Sequence, residues 1–538
     1  MTPPGREGQR GRCTGERDVE AFWLMDRAEH PPCAPSATAP GVGTGGRGPD
    51  SGGISAAPGR SSGGRLLLIL LLGLMGLRFV RIGEWSLWID EALTLSDALH
   101  RQGQGNPLGY RLFAAWFDLF ETRPSELQMR LPSAILGALS LGLCAVAFGA
   151  VSSRRVALAT AVLVGASSWH LYWSQNARFY TLAMVLSLTG TGAFLYGLQR
   201  NRLLLGLFGL AICASAALAH PTSAFLLPGL ALAAIVEFWL TRRSPVPSSA
   251  HANSGPKRLA IACLILAVAG VMVELATGAA AGRLAEWQSK KSTSGAAHFI
   301  LSSGFYFTPL LLTGALAGIY LGLSRGSRAV RIAVIVIVCN GLIAIFLAER
   351  SRMTAQYVFV LLPWVAFLAA YPLERTTRGP DSPQARSLSG AESMRLVYFA
   401  ALLLPALTTC LLQLTVRAGE RPRWRDAYRV VFEQRQPDDL VMGMAAAVGE
   451  YYLDPDAKEV RYPRSVVYLD RHRWPVAERW DRTGRPTWFV VNHEELEDWK
   501  EAERASFERV LREDCRQMAR FPLIVESRDL SVFVYYRD

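Results

Sequence analysis

The stretch "RLLLILLLGLMGLRFVRIGEWSLWIDEALTL", residues 65–95, changes character halfway along. Its first half, Arg65–Val80, approaches the roughly 17–25 apolar residues that cross a bilayer. Its second half sets two adjacent carboxylates, Asp90 and Glu91, among Trp85, Leu87, Trp88 and Ile89. Ionised carboxylates are poorly matched to an apolar setting unless something there uses or compensates them. The stretch reads as a membrane span that delivers a pair of acids to the interface.

The rest of the chain repeats the first half of that pattern. Of 538 residues, 50% are hydrophobic and 19% charged, against about 25% charged in soluble proteins. Runs such as "RIAVIVIVCNGLIAIFLA" (Arg331–Ala348) recur, so the protein is polytopic and α-helical. About eleven spans are expected, near 65–83, 132–150, 156–173, 179–198, 203–219, 222–240, 258–279, 299–323, 329–348, 356–372 and 395–416. No internal repeat and no broken span stands out, which weighs against a transporter.

Charge sets the topology. The net charge is +12, which raises nucleic-acid binding as a function. The arginines, however, sit largely between apolar runs, in "SSRRV", "QRNR", "TRRSPVPSSAHANSGPKR", "SRGSRAVR" and "ERTTRGPDSPQARS". These are alternate loops, and basic loops face the cytoplasm. No nucleic-acid partner is expected. The N-terminus is then cytoplasmic, while the loop holding Asp90 and Glu91 and everything after Arg417 lie outside. Five cysteines (Cys144, Cys213, Cys263, Cys339, Cys410) fall inside apolar runs and read as small hydrophobes.

Three regions follow. Residues 1–64, rich in Gly, Pro, Ser and Arg, read as a disordered cytoplasmic segment. Residues 65–417 form the transmembrane domain, whose first outer segment, Glu84–Arg130, carries interfacial helices such as "NPLGYRLFAAWFDLF". Residues 418–538 read as a small α/β domain on the outer face. Its helices are expected in "RPRWRDAYRVVFEQ" and "EELEDWKEAERASFERVLRE", and its strands in "DDLVMGM", "RSVVYLD" and "PTWFVVN". "LIVES" and "SVFVYYR" suggest a final hairpin.

On this topology several polar residues meet at the outer face. They are Asp90 and Glu91; Arg178 and Tyr180 of "SQNARFYTLAM"; His220 of "AHPTSAF"; and Arg350, Arg352 and Tyr357 of "AERSRMTAQYVFVLLP". Arginine suits phosphate because its fork binds two oxygens at once. A carboxylate beside it can act as base on an incoming hydroxyl. The pattern points to a lipid-phosphate donor whose chain stays in hydrocarbon. The bland alternatives are an acidic helix start for Asp90-Glu91 and interfacial belt positions for the tyrosines. No zinc-protease spacing is present, and neither metal nor cofactor is expected.

The order "LWIDEALTL", "NPLGYRLFAAW", "SELQMRLPSAILGALSL", "YWSQNARFYTLAMVLSL", "HPTSAFLLP", "RMTAQYVFVLLPW" resembles the GT-C glycosyltransferases. It is most similar to the bacterial dolichyl-phosphate-mannose-protein mannosyltransferase-like group that includes the aminoarabinose transferases. That resemblance implies an inverting transferase that uses a polyprenyl-phosphate sugar in the bacterial inner membrane. The acceptor would be a protein, lipid A or an envelope glycan. It implies Asp90 as catalytic base with Glu91 beside it, and Arg178 and Tyr180 at the donor phosphate. Two motifs depart from the group. Asn106-Pro107-Leu108-Gly109-Tyr110 stands where relatives often have His-Pro-Pro-Leu-Tyr, and Gln356-Tyr357 where they often have Arg-Tyr. Arg350 or Arg352 is expected to replace that late arginine. A carrier of lipid-linked sugars and a non-catalytic assembly protein are the rival readings.

Overall fold

The structure is a computed structural model, and it describes residues 62–100, 106–243, 258–265, 295–351, 353–374, 388–453, 466–469, 485–525 and 528–538. The segment 1–61, Arg352 and most of the expected span 258–279 lie outside the described residues.

Six described helices are long and apolar enough to cross a membrane: Glu126–Gly149, Tyr180–Gln199, Pro221–Leu240, Arg328–Ala348, Ala355–Leu373 and Glu392–Leu414. Two shorter apolar helices, Gly63–Leu77 and Leu203–Ala219, fall on expected spans. The remaining two expected spans are broken. Arg154–Ala166 and Ser168–Ser174 meet at 68°, and Ala296–Phe307 and Pro309–Ser324 at 88°. The expectation of unbroken spans is thereby corrected, and the chemistry of the breaks is local. Pro309 offers no N–H to continue the first helix. Thr308, at φ 63°, turns the chain and accepts the Leu311 N–H to start the second. At the other break Ser167 caps the new helix by accepting from His170 N.

Packing inside the bundle depends on small residues. A Cβ on Gly190 would fall 2.6 Å from the Gly209 carbonyl oxygen, so Tyr180–Gln199 and Leu203–Ala219 touch backbone to backbone. Close approach of this kind is how helices associate where no hydrophobic difference drives them together.

The C-terminal region holds a five-stranded sheet. Thr487–Asn492 is its central strand, and Leu440–Gly443 lies between it and the edge strand Val467–Tyr468, parallel to both. Val532–Arg537 runs antiparallel to Thr487–Asn492 and carries Arg516–Phe521 on its far edge. The final hairpin therefore uses "RQMARF" as its first strand. Ile524–Val525 instead forms a two-residue ladder with Arg528–Asp529. The charged helix expected near its start is two helices, His493–Glu497 and Glu501–Glu513.

The first interfacial segment forms the helices Ile89–Leu99 and Pro107–Phe117. Their buried residues Leu95, Ala98, Phe113 and Phe117 belong to the same apolar core as Trp424, Tyr428 and Val448 of the C-terminal region. Polar contacts pin the same junction. Arg425 donates to Glu126 Oε1 at 2.9 Å and to the carbonyls of Gly83 and Glu84. Tyr452 donates to Glu126 at 3.0 Å and accepts from Leu87 N at 2.9 Å. The C-terminal region is thus seated on the first interfacial loop.

Candidate active site

Asp90 and Glu91 occupy the first turn of Ile89–Leu99, where the helix dipole favours acids. Consecutive residues on a helix point about 100° apart, and here that angle separates two environments. Glu91 is fully buried. Its carboxylate accepts from Arg130 Nε and Nη2, both at 2.8 Å, and Arg130 is equally buried. It also accepts from Trp88 N at 3.0 Å and from Ala177 N at 2.9 Å. Burial alone pushes this carboxyl up, but the charge and hydrogen bonds of Arg130, then the Arg421 charge and the Ala177 N–H, outweigh it and hold the pKa at about 2. Arg130 in turn donates to the carbonyls of Ile82, Trp85 and Ser86. Glu91 was expected beside the chemistry. With no exposed surface it is a positioning residue, tying the helix start to the span at Arg130 and to the turn at Ala177.

Asp90 faces the other way. Its side chain is 35% exposed and stands 3.8 Å from Arg178 Nη2. Arg178 also donates to Thr94 Oγ1 at 3.0 Å and to the Asp90 carbonyl at 3.3 Å. The turn that presents Arg178 is fastened from both sides. Ala177 N donates to Glu91, Gln175 Nε2 donates to the Val80 carbonyl, and the Arg178 carbonyl accepts from Ser133. The sealed acid therefore sets the register of the arginine that meets the open one.

Beyond Arg178 runs an aromatic row. Trp173 and Tyr180 rings lie 3.9 Å apart, Tyr180 and His220 4.6 Å, His220 and Tyr357 5.7 Å. Desolvation, then the nearby Arg178, lowers the His220 pKa to about 3, so this ring is neutral. Asp90, Arg178, Tyr180, His220 and Tyr357 are brought together. Arg350 is not: it is exposed and folds back over the Phe346 ring, 3.7 Å from its centroid. Arg352 lies outside the described residues. Among the described residues no three His, Cys, Asp or Glu side chains converge on a metal position.

Next to this row a cavity of about 510 Å³ lies between the bundle and the C-terminal region. Both broken spans open onto it, through Ser168 and through Thr308 and Pro309. Trp88 and Ile89, immediately before Asp90, form part of its wall, as do Tyr172 and Trp173. The charged lining comes from residues outside the expected site set: Arg417, Glu420, Arg421, Glu494, Glu495 and Arg528. Arg421 is only 4% exposed. Its guanidinium lies 5.2 Å from the Trp88 ring and 4.8 Å from the Tyr172 ring, and donates to the Tyr172 hydroxyl at 3.0 Å. The backbone leading to it is left-handed at three consecutive residues, Ala418 (φ 45°), Gly419 (φ 66°) and Glu420 (φ 55°). Such backbone costs about 1–2 kcal/mol at each non-glycine position. Gly419 is required there twice over, since a Cβ would sit 2.5 Å from the Trp85 ring. In the sequence, "RAGERPRW" signals this site only by a dense run of arginines at the end of a span.

No family model matches the chain, and no curated protein matches it. Solved structures do. ArnT from Cupriavidus metallidurans in the apo state aligns with a TM-score of 0.52 at 16% identity, over 88% of this chain and 98% of that one. ArnT of the same organism bound to undecaprenyl phosphate aligns with a TM-score of 0.52 at 15% identity, over 88% and 98%. The likeness runs through the bundle and the C-terminal region and establishes the fold. That fold is a polytopic bundle of apolar helices with a small C-terminal sheet.

Proposed function

We propose that the protein is an inverting glycosyltransferase that moves a sugar from a polyprenyl-phosphate donor to an acceptor hydroxyl. Its work is done at the outer face of the bacterial inner membrane, and the acceptor is a protein, a lipid or an envelope glycan. The observation that carries this reading is the half-exposed Asp90 carboxylate, 3.8 Å from Arg178 and beside an interfacial cavity. The acceptor oxygen attacks the anomeric carbon while its proton passes to Asp90. The bond from that carbon to the phosphate oxygen breaks, and the electron pair leaves on the phosphate. Arginine stabilises that departing charge, so the leaving group needs no acid. One displacement inverts the anomeric centre. The fold shared with ArnT, one of whose structures holds undecaprenyl phosphate, supports the choice of donor class.

Asp90→Asn removes the base and keeps the shape. Transfer from polyprenyl-phosphate sugars in membranes is expected to fall by about 10²–10⁴-fold, the usual contribution of general base catalysis. Full transfer by a stably expressed variant would overturn the base assignment. A carrier of lipid-linked sugars would also use broken spans. It would, however, consume no donor, and wild-type membranes that move labelled donor across the bilayer without consuming it would favour that reading.

A further inference from the structure

The charged groups lining the cavity do not cancel evenly. Arg417 pairs with Glu420 at 3.3 Å. Arg528 pairs with Glu494 and stands 3.8 Å from Glu420. Among the described residues, that leaves one cation and one anion without an ion pair, Arg421 and Glu495. They come from different parts of the chain. Arg421 follows the last span on its left-handed turn, and Glu495 stands on the short helix His493–Glu497 of the C-terminal region.

A buried cation with no carboxylate at ion-pair distance is costly unless a ligand supplies the anion, and Glu91, the buried acid that feels the Arg421 charge, is already paired with Arg130. Arg421 is held for such a ligand. Two aromatic faces and the Tyr172 hydroxyl fix its plane, so little side-chain entropy remains to be lost on binding. Arg178, by contrast, already faces Asp90 and Thr94. Glu495 is held too. Its backbone N–H caps onto Asn492 Oδ1, and Asn492 Nδ2 donates to the carbonyls of Leu530 and Ser531. Burial, and then the neighbouring Glu494 and Asp498, raise its pKa to about 7.

Resting on the transferase reading, we infer that the cavity is a two-pole headgroup site. In it Arg421 grips the oxygens of a lipid-linked phosphate, and the Glu495 carboxylate accepts hydrogen bonds from the hydroxyls of the attached sugar. The geometry joins this site to the proposed base. Arg421 lies over Trp88, whose N–H is held by Glu91, and Asp90 lies two residues further on. Arg178 then orients Asp90, and Arg421 receives the leaving phosphate.

The test is binding to the purified full chain in detergent. Three probes are used: polyprenyl phosphate, a polyprenyl-phosphate hexose and inorganic phosphate. Arg421→Ala is expected to weaken polyprenyl phosphate by about 10–100-fold, the range for a lost hydrogen bond to a charged group. Arg421→Lys keeps the charge without the planar fork and should fall between. If Arg421→Ala does not fold, Arg421→Lys decides alone: affinity equal to wild type overturns the inference. Glu495→Gln should leave bare polyprenyl phosphate within about twofold and weaken the hexose-bearing lipid by roughly tenfold. Equal loss for both lipids would remove the sugar pole. Inorganic phosphate that competes as well as the lipid would mean a site for free phosphate, and would also overturn it. Wild type that binds these lipids but transfers nothing would refute the transferase reading and leave the site standing. Unchanged binding by Arg421→Ala in a chain whose wild type transfers sugar would do the reverse.

Discussion

Two arginine–carboxylate pairs share the first turn of Ile89–Leu99, one on its sealed side and one on its open side. Glu91–Arg130 is bidentate, fully buried and surrounded by further hydrogen bonds. Asp90–Arg178 is looser, at 3.8 Å, with the carboxylate 35% exposed. Both pairs join a carboxylate to an arginine, and it is the environment that sets them apart. A pair sealed from solvent can hold structure but cannot reach a substrate. A pair left partly open contributes little to stability and keeps a carboxylate available for a proton. Under the proposed transferase reading, the difference between them assigns the roles: Glu91 positions, and Asp90 reacts.

The largest expected effect comes from breaking the sealed pair. Glu91→Gln or Arg130→Met leaves one buried charge without its partner, which typically costs about 3–5 kcal/mol. Thermal unfolding in detergent measures it. The double variant should be less damaged than the sum of the singles, because no orphaned charge remains. A single change costing under about 1 kcal/mol would mean that water reaches this pair, and the contrast with Asp90 would collapse.

Acid sharpens the same contrast. Glu91 is depressed to about 2 in the folded protein from an ordinary value of 4.5. A carboxyl depressed on folding contributes stability that is fully present above the unfolded value. That contribution disappears as pH falls from about 4.5 through about 2. Wild type should therefore lose thermal stability over that window, and Glu91→Gln should lose less of it. Parallel curves for the two proteins would show that Glu91 is not the group titrating.

Much of this was legible beforehand, for physical reasons. Apolar runs long enough to span the bilayer are a strong local signal, and ten of the eleven expected spans fall on described helices. The two breaks are not legible because a single pair of residues, Ser167-Ser168 in one run and Thr308-Pro309 in the other, leaves the average hydropathy almost unchanged. The proximity of Asp90, Arg178, Tyr180, His220 and Tyr357 is legible in the sequence because the span ends bring them to one level. Arg350 was misplaced because sequence position alone does not tell whether an arginine at a helix end turns inward or folds back over its own Phe346. Glu91 and Asp90 are told apart only by a partner 39 residues away in sequence, Arg130. Arg421 depends on a left-handed turn against Trp85, a tertiary contact that no local pattern reports.

The smallest expected effect is on the open pair, and it is the most discriminating. A partly exposed ion pair with weak geometry contributes about 0–1 kcal/mol to stability. Asp90→Asn, Arg178→Gln and their double variant should each unfold within about 1 kcal/mol of wild type, with a coupling energy smaller still. Arg178 also donates to Thr94 at 3.0 Å and to the Asp90 carbonyl at 3.3 Å, so Arg178→Gln should be less stable than Asp90→Asn. Sugar transfer should nevertheless collapse in every variant that lacks Asp90. A protein that keeps its fold while losing its chemistry separates reaction from architecture at neighbouring residues. If Asp90→Asn instead unfolded like Glu91→Gln, the open side would be as structural as the sealed one, and the base would have to be sought elsewhere on the cavity wall.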